Sequence, residues 1–94
     1  MSYALAIAPE AEQDLARLID SLPAKRRGPA LDSILAELEK LAANPSLAVK
    51  STLGRPTYRV SFTVDRVRYN WAAIFKFSMD ERTIVITQLY RVAL

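Results

Sequence analysis

The 94-residue chain contains neither cysteine nor histidine. Without cysteine there is no disulfide framework and no thiolate nucleophile, which is compatible with the cytosol. Without histidine it lacks the commonest metal ligand and the side chain that titrates most readily near neutrality. A zinc site or a histidine-based acid–base pair is therefore excluded. No apolar run approaches the roughly 20 residues that span a bilayer. The opening Met1-Ser2-Tyr3-Ala4-Leu5 has neither the basic start nor the long apolar stretch of a signal peptide. We therefore expect a cytoplasmic protein with no membrane association, no metal and no cofactor. Acidic side chains are scarce in the second half of the chain: residues 46–94 carry three, against eight basic ones, for a net +5. Residues 1–45 carry seven acidic and five basic side chains, for a net −2. The positive half favours an anionic partner.

A hydrophobic fraction of 51% over this length fits one globular domain spanning residues 1–94, with no repeat or linker to divide it. Tyr3 to Ala8 alternates, with Tyr3, Leu5 and Ile7 on one phase, and reads as a strand. Pro9 suits the first turn of a helix, where Glu10, Glu12 and Asp14 meet the positive end of the helix dipole. Ala11, Leu15, Leu18, Ile19 and Leu22 then form one apolar stripe, which Pro23 ends. Lys25-Arg26-Arg27-Gly28 falls in an exposed connector from Pro23 to Pro29. A second helix begins between Ala24 and Ala30, its start left open by Pro29. Leu31, Ile34, Leu35, Leu38, Leu41 and Ala42 form its stripe, and Asn44-Pro45 closes it. Residues Ser46 to Thr57 read as a loop.

Three alternating stretches follow, joined by turns at Asp65-Arg66 and Ser78 to Arg82. In the first, Tyr58, Val60, Phe62 and Val64 are apolar, and Arg59, Ser61 and Thr63 lie opposite. In the second, Tyr69, Trp71, Ala73, Phe75 and Phe77 face one way and Arg68, Asn70 and Lys76 the other. In the third, strict alternation places Ile84, Ile86, Tyr90 and Val92 together and Thr83, Thr87 and Arg91 opposite. The expected fold is α+β, in the order β-α-α-β-β-β, with a helical hairpin packed on one face of a mainly antiparallel twisted sheet. On this reading Arg59, Arg68 and Arg91 all emerge on the face without the core. A cluster of permanent cations there suits phosphate groups and hence nucleic acid. The same parity assigns Trp71, Tyr58, Tyr69 and Tyr90 to the core, and Asp65 and Glu81 to solvated turns.

The order and its motifs resemble the RelE/ParE toxin superfamily of bacterial type II toxin–antitoxin systems, over nearly the whole chain. Tyr3 to Leu15 looks like the family's opening strand followed by an "x-x-A-x-x-D-L" helix start. Leu41-Ala42-Ala43-Asn44-Pro45 resembles its second-helix ending. Leu53-Gly54-Arg55 with Tyr58-Arg59-Val60 resembles its "L-x-G…Y-R-(I/V)" entry. Val67-Arg68-Tyr69 and Leu89-Tyr90-Arg91 take the places of its later strands. The resemblance implies a toxin neutralised by a cognate antitoxin. Members similar to RelE cleave mRNA in the ribosomal A site; those similar to ParE poison DNA gyrase. A metal-independent endoribonuclease that arrests translation is the leading expectation. The alternatives are a gyrase inhibitor and a non-catalytic antitoxin-binding module. Arg68 and Arg91 match the two arginines that ribosome-dependent members use around the scissile phosphate, and Arg59 falls where a lysine or arginine is frequent. Arg59, Arg68 and Arg91 are therefore the expected catalytic set. The sequence departs from the pattern at Ser61 and Thr63, where some nucleases carry a second basic residue. It also lacks the segment after Arg91 that supplies an aromatic or histidine acid in several of them.

Overall fold

A computed structural model describes residues 3–44, 49–50, 56–78 and 80–92, with main chain alone at 49–50. The order is β1 (Ala4–Ile7), α1 (Pro9–Asp20), α2 (Ala24–Ala43), β2 (Val49–Lys50), β3 (Pro56–Val64), β4 (Val67–Ser78) and β5 (Thr83–Arg91). The strands form one sheet in the order β1-β5-β4-β3-β2. Every pairing is antiparallel except that of β1 with β5. The fold is the expected α+β arrangement, with one strand more than the alternation predicted. Val49 and Lys50 pair with Thr57 and Pro56 in a ribbon too short to show a period. The Leu53-Gly54-Arg55 motif lies outside the described residues.

Both helices lie on one face of the sheet, α1 against β5 and α2 against β3. Their apolar stripes supply Ala11, Ala30, Ile34, Leu38, Leu41 and Ala42 to a core completed from the strands by Val60, Phe62, Trp71, Phe75, Ile84 and Ile86. Burying such side chains against a sheet face stabilises helices that would be marginal alone. Pro9 opens α1 as anticipated. The second helix already starts at Ala24 and carries Pro29 inside it, so the Pro23–Pro29 segment is mostly helical rather than a connector. Its basic residues have internal work. Arg27 donates to the carbonyls of Asp20 and Leu22, at 3.1 and 3.0 Å, and so closes the end of α1. Lys25 and Arg26 approach the Asp65 carboxylate at 3.5 and 3.7 Å. Arg26 also donates to the Tyr69 hydroxyl at 3.3 Å.

The first strand is tied at both ends, because Tyr3 N–H bonds the Ala42 carbonyl and Ala8 N–H bonds that of Ile86. Beyond Ile7 no described strand lies beside the edge of β5. There the Asp14 carboxylate of α1 accepts the Leu89 N–H at 3.1 Å. This gives the Ala11-x-x-Asp14-Leu15 pattern a physical meaning: Ala11 is fully buried, Leu15 packs on the core, and Asp14 caps an open strand edge.

Candidate nucleic-acid interface

Residues directly opposite one another in a sheet share a face. Tyr58, Val60, Phe62 and Val64 are buried beneath the helices, so Arg59, Ser61 and Thr63 lie on the uncovered face, as the alternation required. Arg59 pairs with Ala72, Ser61 with Asn70 and Thr63 with Arg68. The Ser61 hydroxyl donates to Asn70 Oδ1 at 2.9 Å, in the middle of this field. Arg59 and Arg68 thus stand at its two ends, about 13 Å apart along the strand direction.

The last strand departs from the expected parity. Phe75 pairs with Ile86 but Ile74 with Gln88, so Thr87 is an extra residue in β5, a β-bulge. Its hydroxyl donates to the Ile74 carbonyl at 3.1 Å. Every side chain beyond it is turned over. Leu89 comes to pair with Ala73 and is buried. Tyr90 pairs with Ala72 on the uncovered face and is 43% exposed, so its assignment to the core is corrected. Arg91 pairs with Trp71, which is 1% exposed and lies under the helices. The three arginines therefore do not share a face. Arg59 and Arg68 are on the open side, while Arg91 lines a groove with Asp14, Arg17, Leu18 and Ser21 of α1 and its cap, to which Leu89 and Tyr90 also contribute. The missed signal is the spacing of Ile84, Ile86 and Leu89, where a step of three interrupts a period of two.

Two further expectations meet the structure here. Tyr58 and Tyr69 are buried as the phase implied, and Trp71 is too enclosed to stack on a base. The Tyr58 hydroxyl donates to Glu37 at 3.0 Å; burial first, then this carboxylate, pushes its pKa up to about 12. It is a weaker acid than an ordinary phenol. Phe77, placed with the core by alternation, is 40% exposed and meets Tyr3 and Phe75 edge-on.

The charges sort by element. Of the ten acidic residues, seven lie in α1 and α2 and three in the turns at Asp65, Asp80 and Glu81; none lies in a strand. Arg17, Lys25, Arg26 and Lys40 are paired with carboxylates. Arg59, Arg68, Lys76 and Arg91 have no carboxylate partner among the described residues. Lys76 pairs with Val85, on the same open face as Arg59 and Arg68. An unneutralised arginine keeps its five donors for an external anion, and two arginines flanking a hydroxyl and an amide make a surface suited to phosphate oxygens. No group of histidine, cysteine or carboxylate side chains that could hold a metal ion occurs among the described residues. No described helix is long and apolar enough to cross a membrane.

No family model matches the sequence, and no curated protein matches it. Solved structures do match. A chain of the RelBE2 toxin–antitoxin complex from Mycobacterium tuberculosis is similar with a TM-score of 0.57, over 100% of this chain and 95% of that one, at 14% identity. A chain of the intact Escherichia coli RelBE toxin–antitoxin complex gives 0.53 over 99% and 100%, at 10% identity. A chain of the archaeal RelE–RelB complex from Pyrococcus horikoshii gives 0.51 over 97% and 96%, at 17% identity. The described residues of this chain share the fold of these RelE–RelB complex chains.

Proposed function

We propose that this protein is the toxin of a type II toxin–antitoxin module, a ribosome-dependent mRNA endonuclease that arrests translation and is neutralised by a cognate antitoxin. One observation carries the reading: among the described residues, the uncovered sheet face presents Arg59, Arg68 and Lys76 without a carboxylate partner, and no described strand contains an acidic residue. Cleavage by attack of the RNA 2′-hydroxyl needs a base for that proton, cations for the charge gathering on phosphorus, and an acid for the departing 5′-oxygen. Arg59 and Arg68 supply the cations. The Tyr90 phenol, exposed in the same cross-strand row as Arg59, is the proton donor on this face. Arg91 serves from the strand end, holding a different phosphate from the one Arg59 grips. No described strand carries a carboxylate that could serve as the base on this face, so the ribosome contributes that service or positions the substrate so that water performs it.

A second reading, inhibition of DNA gyrase, is favoured by the turning of Arg91 to the helix side. That leaves a face better equipped to bind than to move protons. Expression in a bacterial host without the antitoxin, following translation and supercoiling together, separates the two. Translation arrest with cuts inside the A-site codon supports the endonuclease. Trapped gyrase–DNA complexes with continuing translation support the alternative. Normal growth at good soluble yield overturns both.

A further inference from the structure

A cleft of about 450 Å³ adjoins the bulge, lined by Glu10, Pro56, Ile74, Phe75, Lys76, Thr87 and Gln88. Ile74, Lys76 and Gln88 belong to the uncovered face, and the Ile74–Gln88 pair is the row next to that of Arg59, Ala72 and Tyr90. Through these three residues the cleft borders the phosphate-binding field, while Pro56 and Phe75 belong to the helix-side phase and Glu10 to α1. Its chemistry is different. Ile74 and Pro56 give it apolar walls, the Gln88 amide offers a donor and an acceptor, and Glu10 offers a carboxylate at the rim. A carboxylate repels phosphate but accepts hydrogen bonds from an amino group on a base. The flat, apolar faces of nucleobases suit such walls.

We infer that this cleft is a base-recognition subsite. It takes the nucleobase adjoining the phosphate held by Arg59 in single-stranded RNA, and it selects bases with an exocyclic amino group, adenine, cytosine and guanine, over uracil. Gln88 reads the base edge, Glu10 accepts from the amino group, and Lys76 meets the backbone as it leaves. The occupant is RNA rather than a protein segment, because the surrounding face has cations in excess and a row of neutral hydrogen-bonding side chains. The inference deepens the RNA reading above and rests on it.

The test measures binding of labelled 12-nucleotide oligoribonucleotides to the purified full chain. The probes are oligo(A), oligo(C), oligo(U) and an abasic strand of equal length. Wild type binds oligo(A) and oligo(C) about tenfold more tightly than oligo(U). Gln88→Ala removes most of that preference. Glu10→Gln also lowers it and, by deleting a negative charge, strengthens abasic binding. These two opposite changes in one variant are beyond what a misfolded protein produces. Arg59→Ala weakens all four probes alike and lowers the salt dependence. If wild type binds the abasic strand as tightly as the others, or if Gln88→Ala and Glu10→Gln keep the preference, the base subsite is overturned while the phosphate face stands. If wild type binds none of the probes, the RNA reading falls and the subsite with it.

Discussion

Asp14 offers a quantitative check on how the site-bearing strand is held. Its carboxylate accepts the Leu89 N–H at 3.1 Å, on a stretch of β5 that β1 does not reach, and Leu89 is only 4% exposed. The other contact of Asp14 is a 3.4 Å approach to Arg17, whose side chain is 76% exposed, so that ion pair contributes little. Asp14→Ala leaves a buried N–H without its acceptor. Losing a charge-assisted bond and stranding the donor costs about 2.5 kcal/mol. The better helix propensity of alanine returns about 0.5 kcal/mol. The net loss is about 2 kcal/mol, or about 12 °C in Tm for a domain of this size. Asp14→Asn keeps a neutral acceptor and loses about half as much. Urea unfolding at neutral pH gives the free energies, and amide exchange at Leu89 gives the local consequence. The Leu89 amide should lose protection in the alanine variant and keep most of it in the asparagine one. A loss below about 0.5 kcal/mol for Asp14→Ala, the level of an ordinary surface substitution, would refute the edge-capping role.

Other consequences concern the turn and the core. Asp65 and Arg66 join β3 to β4 with φ of 54° and 67°, a two-residue turn whose second position favours glycine. Arg66→Gly should raise stability by about 1 kcal/mol, read as a higher Tm; a lower Tm would show that the turn is not strained. Tyr58 has its pKa raised to about 12 in the fold, so folding favours the protonated phenol. That contribution is fully present below the unfolded pKa of about 10 and is lost as pH rises through 12. Urea midpoints between pH 10 and 12 should therefore fall more steeply for wild type than for Tyr58→Phe. Parallel curves would contradict the buried Tyr58–Glu37 arrangement.

The sequence made the helices and the central hairpin legible because their periods run unbroken. The stripes of α1 and α2 and the alternation from Tyr58 through Phe75 each report a single buried face. Arg59 and Arg68 were therefore placed correctly on the open side. Parity failed at Thr87, because one inserted residue reverses every later side chain and is held by a hydroxyl-to-carbonyl bond that leaves no periodic trace. That one residue exchanged the positions of Tyr90 and Arg91. The role of Lys25, Arg26 and Arg27 was hidden for another reason. A basic run looks the same whether its partners are solvent or residues 5 to 43 positions distant in the chain. Asp14 looked like a dipole-compensating helix residue, and only the tertiary structure reveals the strand edge it caps.

The central claim is that Arg59 and Arg68, on the uncovered face, hold the RNA at the point of cleavage. The most direct measurement is mapping of mRNA 5′ ends in ribosomes programmed with a defined message and the purified protein. Wild type should cut within the A-site codon, and the Arg59→Ala/Arg68→Ala variant should leave the message intact while keeping the wild-type circular dichroism spectrum and Tm. Arg91→Ala, altering the other face, should cut at a reduced rate. Full cleavage by the double variant, or loss of cleavage in Arg91→Ala alone, would contradict the account.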